Sequence, residues 1–563
     1  MVALISKPHR QNSHFAYKRL LWQIGLVATS LGFCFVPTLG IMRQALTAER
    51  IYASYSVVER SISVAALEKY AREGILDDEL AVYAQYVNPQ QLAQLRRVLL
   101  TRIELTPVAV AQFLYTPQGI ILLERLGQIV QTEARQPGFY AIRSALILAA
   151  ATPDGLTLLN VLRQFPTRSI RIDLARSLRI AEQLERLVNQ TRQAITLVQQ
   201  DAVNAANAQP PLDFRQLPDL RERGPFSWNQ QTLTLSDPRR DRRFLADIYL
   251  PLNLEKPAPV IVISHGLGSD RTSFIYLATQ LASYGFAVVV PEHPGSNAEQ
   301  LRSLLLGVAA EVAQPNEFIN RPLDVRYLLN ELERLRLSDA RFRNINVQQV
   351  GVIGQSFGGY TALALAGAPL NFEQLQQDCT RLQDSSLWNV SLLLQCRALE
   401  LPITGYVLRD PRVKAAIAIN PITSSVFGEA SIRQITVPVM IVSGSADTIA
   451  PTLAEQIRPF SWLTSPDKYL AVIVGATHFS TIGEPTPGSE PIAVPPQVIG
   501  PTPEVARSYI SALSVPFFQT YINNLPQYRP YLSSAYAQAV SETLLPLSLV
   551  RSLSSSELRQ FFR

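Results

Sequence analysis

Residues 347–365 constrain the fold more than any other stretch of the chain. An apolar run ending in Gly351-Val352-Ile353 passes straight into Gly354-Gln355-Ser356-Phe357-Gly358-Gly359, and the helix formers Tyr360-Thr361-Ala362-Leu363-Ala364-Leu365 follow at once. A strand that turns sharply through Gly-x-Ser-x-Gly into a helix is a nucleophile elbow. Its serine is strained, its neighbours are glycine because other backbone packs against them, and the helix amino terminus behind it favours a developing oxyanion. The bare motif also fits an ordinary tight turn. The strand-turn-helix setting makes Ser356 the candidate nucleophile.

The surrounding pattern agrees. Short apolar runs at 231–236, 244–250, 260–264, 287–290, 347–353, 415–419, 437–442 and 469–474 alternate with helical stretches. That alternation predicts the α/β class, a mostly parallel sheet with helices on both faces, in a unit spanning 231–525. Ahead of it, alternation at Ile51, Ala53, Tyr55 and Val57 reads as one or two strands, and helical periodicity then takes over. Residues 49–203 are therefore expected to be a separate, mainly helical domain. Thr106-Pro107 and Thr152-Pro153 read as helix starts, and Leu174 to Val198 as one long amphipathic helix. The Pro-rich stretch 204–230 reads as a linker, and 526–563 as a helical tail.

A catalytic serine needs a base. Of five histidines, His9 and His14 lie in the leader, and His478, just beyond the last predicted strand, is the one downstream of Ser356. The acid belongs between them in chain order, and Asp447 in Ser445-Ala446-Asp447-Thr448-Ile449-Ala450-Pro451 follows the preceding strand. Backbone amides of Leu267 and Phe357 are the candidate oxyanion donors. His265 is expected to brace the Leu267 loop and His293 to line or support the rim, neither acting as base.

Lys7, Arg10, Lys18 and Arg19 followed by an apolar stretch from Leu20 to Met42 read as an export signal over 1–48, either cleaved near Gly40 or Ala48 or kept as an N-terminal anchor. The destination is then the periplasm or the exterior. Cys379 and Cys396, 17 positions apart, are expected to pair there; two buried free thiols are the alternative. They sit in an insertion, 366–412, whose apolar positions (Phe372, Leu375, Leu382, Leu387, Trp388, Leu392) suggest a lid over a lipophilic acyl substrate or a purely structural cap. No metal-ligand spacing exists, so neither metal nor cofactor is expected. With 47% apolar residues, 17% charged and a net charge of +6, the chain is globular, and without basic runs carrying interleaved aromatics nucleic acid is excluded as a partner. The partners expected are a small or lipid ester and, through the leader or lid, a membrane surface.

Ser264-His265-Gly266-Leu267-Gly268, Leu281-Ala282-Ser283-Tyr284-Gly285-Phe286, Glu292-His293 and the elbow itself resemble plasma-type platelet-activating-factor acetylhydrolases. The wider chain resembles cyanobacterial α/β-hydrolases that carry an N-terminal helical domain of unknown function. These resemblances imply the α/β-hydrolase fold, serine esterase chemistry, and the Leu267 and Phe357 amides as the oxyanion hole. One position departs: the acetylhydrolases carry their acid after the strand that follows the elbow, where this chain has Asn420. The segment Asp447-Thr448-Ile449-Ala450-Pro451 is instead similar to the acid-bearing segment of dienelactone hydrolases and bacterial polyester hydrolases. The combined expectation is an exported carboxylic ester hydrolase. A peptidase or amidase of the same fold and an inactive scaffold are the alternatives.

Overall fold

Two building rules meet near residue 210. The computed structural model describes residues 47–56, 58–380, 389–484 and 496–553; the expected leader and the lid residues Leu382, Leu387 and Trp388 lie outside them. The first unit pairs β1 (Arg50–Tyr55) with β2 (Val58–Ser63) as a hairpin, and β3 (Val130–Gln131) with β4 (Ser169–Asp173), in the order β2-β1-β4-β3. β1 runs parallel to β4, a pairing across more than a hundred residues that no local pattern announces. Helices fill the chain between, so the unit is helical in bulk with a small sheet on one side. Thr106 caps the helix Pro107–Tyr115 by accepting from the Ala109 amide. Thr152, by contrast, ends a helix rather than starting one. Its hydroxyl donates back to Ala149, and the next helix, Leu158–Arg163, is capped by Thr157.

The long helix is observed as Leu174–Asn207, capped at its start by Asp173. Its second half, with Ala194, Ile195, Val198 and Ala202 buried, packs into the core of the following unit. The boundary expected after residue 203 therefore cuts through one continuous helix, and the irregular connection starts four residues later.

The second unit contains β5 (Trp228–Asp237), β6 (Arg242–Pro251), β7 (Ala258–Ser264), β8 (Ala287–Pro291), β9 (Ile345–Gln355), β10 (Val413–Ile419), β11 (Val439–Gly444), β12 (Lys468–Ile473) and β13 (Leu547–Val550). They form one sheet in the order β13-β12-β11-β10-β9-β7-β8-β6-β5. The strands from β8 through β7, β9, β10 and β11 to β12 run parallel, with antiparallel strands at both margins. Every residue of β7 and β8 is buried. Strands covered on both faces show no alternation, which is why they read as uniform apolar runs. This is the α/β-hydrolase fold, as expected.

One correction concerns the end of the chain. The tail expected to be helical holds the helix Ser534–Val540 but also β13, which pairs antiparallel with β12 and closes that margin of the sheet. The consequence of the strand order lies at β7 and β9. The chain leaves β7 for β8 on one side and comes back to β9 on the other, so the carboxyl ends of β7 and β9 bound a topological switch point, where open α/β sheets bind ligands.

Candidate active site

β9 ends at Gln355 and the helix Phe357–Ala366 starts two residues later, leaving Ser356 alone in the turn. Its backbone sits at φ 57° and ψ −117°, a region that L-residues occupy only under constraint. The constraint is close packing. A Cβ on Gly358 would stand 1.9 Å from the Ser264 carbonyl oxygen, and one on Gly354 would stand 2.1 Å from that of Gly358. The Ser356 amide donates to the Ile419 carbonyl at 2.8 Å, which anchors the tip of the elbow to β10.

Asp447 and His478 are brought together. His478 Nδ1 lies 2.6 Å from Asp447 Oδ2, while Asp447 Oδ1 accepts from the amides of Ile449 and Ala450, each at 2.8 Å. With its hydrogen committed on Nδ1, the imidazole keeps its lone pair on Nε2. All three residues are buried but for a few per cent of their surface.

The loops carrying them are tied by neutral amides. Gln355 Nε2, one residue before the serine, donates to the His478 carbonyl at 3.0 Å. Asn420 does more. Its Nδ2 reaches the carbonyls of Thr477 and His478 at 3.3 and 3.4 Å, its Oδ1 accepts from the Gly444 amide at 2.8 Å, and its own amide donates to Val442. Standing at φ 43°, one residue beyond the Ile419 carbonyl that holds Ser356, it connects the elbow, the acid loop and the histidine loop. Sequence reading noticed Asn420 only as an acid that was missing. The usable signal was an asparagine at the end of a buried strand, where its short amide tolerates a left-handed backbone and bridges neighbouring turns.

Across the cleft, Phe357 is the first residue of its helix, so its amide has no acceptor within that helix. The Leu267 loop follows β7, with Gly268 N donating to the Ser296 carbonyl at 2.9 Å. His265 and His293 are fully buried beneath it. His265 Nε2 accepts from the His293 amide at 3.1 Å, and its Nδ1 therefore donates to the Gly266 carbonyl at 2.8 Å. His293 Nδ1 faces Asp324 at 3.1 Å and its Nε2 faces the Ser264 hydroxyl at 3.0 Å. Burial holds His265 below the ordinary histidine range and His293 well below it, so both are neutral bracing groups. Asp324 and Glu317 accept from Arg242, Asp324 also from Arg240, and Arg321 lies buried between them and the Leu267 loop. Sequence reading missed these groups: on the helix Glu317–Ser338 they look like the charged face of any amphipathic helix.

The insertion is fastened to the acid side. Asn389 and Gln395 donate to the buried Glu455 carboxylate, which also accepts from the amides of Thr423 and Ser424, and Ser391 N donates to the Ile449 carbonyl at 2.8 Å. Leu375, Ala398 and Leu401 join the main core. The sulfurs of Cys379 and Cys396 lie 1.96 Å apart, at disulfide distance. A cavity of about 1070 Å³ lies elsewhere, at the amino-terminal ends of β7 and β8 between Phe226, Tyr284 and Tyr528, and takes no part in this chemistry. Among the described residues no group of acidic, histidine or cysteine side chains could hold a metal, and no helix is long and apolar enough to cross a membrane.

Residues 47–173 match a family described as "Alpha/beta hydrolase of unknown function (DUF1400)", and residues 248–321 match "Platelet-activating factor acetylhydrolase, isoform II". The second match takes in His265, Leu267, His293 and Arg321; neither reaches Ser356, Asp447 or His478. The chain is similar to Cutinase 2 of Thermobifida cellulosilytica, at 24% identity over 55% of this chain and 84% of that protein. Cutinase cut1 of Thermobifida fusca is likewise 24% identical, over 55% of this chain and 69% of its own length. With the fold and the elbow, these likenesses make the chain a carboxylic ester hydrolase of the α/β-hydrolase fold.

Proposed function

We propose that the chain is an exported serine esterase acting on lipid-like or short-chain acyl esters through Ser356, His478 and Asp447. In this reading His478 Nε2 takes the proton of Ser356 Oγ as that oxygen attacks the ester carbonyl. The amides of Leu267 and Phe357 receive the oxyanion, and the protonated imidazole, held by Asp447, passes its proton to the departing alcohol. Water, activated by the same base, then attacks the acyl-enzyme and frees the acid and the serine. The observation that carries the reading is the His478–Asp447 hydrogen bond of 2.6 Å on loops tied through Gln355 and Asn420 to the elbow.

Lipid-like esters are favoured over amides because the relatives are named cutinases and a platelet-activating-factor acetylhydrolase. Export is supported by the basic-then-apolar leader and by paired cysteines, which persist in oxidising compartments. The test is hydrolysis of p-nitrophenyl esters of graded chain length by the wild type and Ser356→Ala. Loss of all activity in the variant supports the reading. An inert wild type that also fails to react with a fluorophosphonate sinks it and leaves a binding role for the fold.

A further inference from the structure

Arg321 is fully buried on the helix Glu317–Ser338, an expensive place for a guanidinium unless its donors are all used. Burial pushes it down to about 10, which leaves it charged at neutral pH. Its Nη1 donates to the His265 carbonyl at 2.9 Å, its Nη2 points at the Gly266 carbonyl at 3.4 Å, and its Nε donates to Ser296 Oγ at 2.9 Å. Its central carbon lies 4.6 Å from the centre of the Phe357 ring.

The Gly266 carbonyl and the Leu267 N–H are the two ends of one peptide unit. Donors on that oxygen, His265 Nδ1 at 2.8 Å and Arg321 behind it, fix the plane of the peptide and draw its electrons toward the oxygen, which strengthens the N–H as a donor at the other end. The second oxyanion donor is the amide of Phe357, the residue whose ring the same guanidinium covers. One buried cation thus touches both halves of the oxyanion hole, and neither contact requires it to touch substrate.

We propose that Arg321 is the positioning residue of the oxyanion hole: it orients the Gly266–Leu267 peptide and fixes its spacing from the Phe357 amide. The inference rests on the serine esterase reading above. Donors aimed beforehand at the developing charge act on the transition state and leave ground-state binding nearly unchanged. A guanidinium that merely fills space in the core would not divide its effect in that way.

The experiment uses the full chain and compares wild type, Arg321→Met, Arg321→Lys and Ser296→Ala. Three quantities are read: kcat, KM on a soluble p-nitrophenyl ester, and the inhibition constant of an aryl trifluoromethyl ketone, whose adduct with Ser356 carries an oxyanion. Arg321→Met is expected to lower kcat about 10²-fold, the scale of one lost oxyanion donor, with KM within about twofold. The ketone should weaken by the factor lost in kcat/KM. Arg321→Lys should fall between, since an ammonium cannot serve two carbonyls and a ring face with one planar fork.

A folded Arg321→Met enzyme with wild-type kcat overturns the proposal. So does a fall in kcat that leaves ketone affinity unchanged. Should Arg321→Met fail to fold, Ser296→Ala decides: it removes the Nε acceptor together with a hydroxyl that donates to Glu317 Oε2 at 2.9 Å and to the His293 carbonyl at 3.3 Å, so a several-fold parallel loss in kcat and ketone affinity supports the proposal, and no change refutes it. An inert wild type refutes the esterase reading and this inference together, whereas an active wild type indifferent to Arg321 refutes this one alone.

Discussion

The two sides of the cleft hold buried carboxylates by opposite means. On the acid side, Asp447 accepts from two backbone amides and His478, and Glu455 accepts from the amides of Thr423 and Ser424 and from the side chains of Ser424, Asn389 and Gln395. On the oxyanion side, Asp324 accepts from Arg240 and Arg242 and Glu317 from Arg242, with Arg321 beside them. In the proposed mechanism the difference matches what each side would do. A base would gain and lose a proton beside fixed dipoles, whereas an oxyanion hole would stay put, and interlocked ion pairs make a rigid frame for it once every lone pair is used.

The largest effect that sharpens this contrast is on turnover. Asp447→Asn keeps the shape of the loop but no longer holds the imidazole in the productive tautomer or stabilises its cation, so kcat should fall by about 10⁴ with little change in thermal stability. Asn420→Ala is a milder change on the same side. It frees the Gly444 amide and the Thr477 carbonyl and leaves the His478 carbonyl to Gln355 alone, at about 1–3 kcal/mol of stability, and a loss near tenfold in kcat is expected from the loosened loop. If Asn420→Ala were the more damaging of the two to turnover, the acid would be misassigned.

The oxyanion side should fail in the other way. Arg242 is nearly buried and bridges Asp324, Glu317 and the Pro294 carbonyl. Arg242→Met leaves two buried carboxylates short of their cation, and breaking such a pair from one side costs about 3–5 kcal/mol. Urea unfolding should register that loss in the midpoint. A cost under about 1 kcal/mol would mean that the network is wet and loosely held, and the contrast between the two sides would collapse.

The acid side has one covalent tie. With Cys379 and Cys396 paired, the bond closes a short loop at the insertion, next to Gln395, which donates to Glu455. Non-reducing peptide mapping should find the pair, and Cys379→Ala should cost about 3 kcal/mol on loop-closure grounds while leaving KM for short esters unchanged. Two free thiols would remove this support for the insertion.

What could be read in advance tracks local chemistry. The central strands were legible because they are buried on both faces and appear as bare apolar runs, and the elbow at Ser356 and the meeting of Asp447 with His478 because each of these residues follows a strand in a fixed chain order. Arg321, Asp324 and Glu317 were not: charges spaced along a helix look the same whether they face water or a second set of charges from β6. β4 and β13 were hidden because their partners lie far along the chain, β1 for one and β12 for the other. The helix Leu174–Asn207 was seen as a helix, but periodicity reports that it has an apolar stripe and not which unit that stripe covers.

The smallest expected effect concerns acid. Burial holds His265 and His293 below their unfolded value near 6.5, so the folded chain refuses protons that the unfolded chain accepts. Stability from these two is complete above that pH and is lost as pH falls through it. Asp324 works against them. Its burial, opposed by Arg242, lifts it from 3.8 to about 6, so below about pH 6 the folded chain takes a proton first and gains stability as pH drops further. Two groups lose where one gains, and each net proton is worth about 1.4 kcal/mol per pH unit. The urea midpoint should therefore drop as pH falls below 6.5, by less than two histidines alone would make it drop. His293→Gln removes one of the two titrating rings and should make that drop shallower. A drop as steep as the two histidines alone would give would show that Asp324 is held ionised by its arginines, and that the ion pairs on this side outweigh the burial that surrounds them.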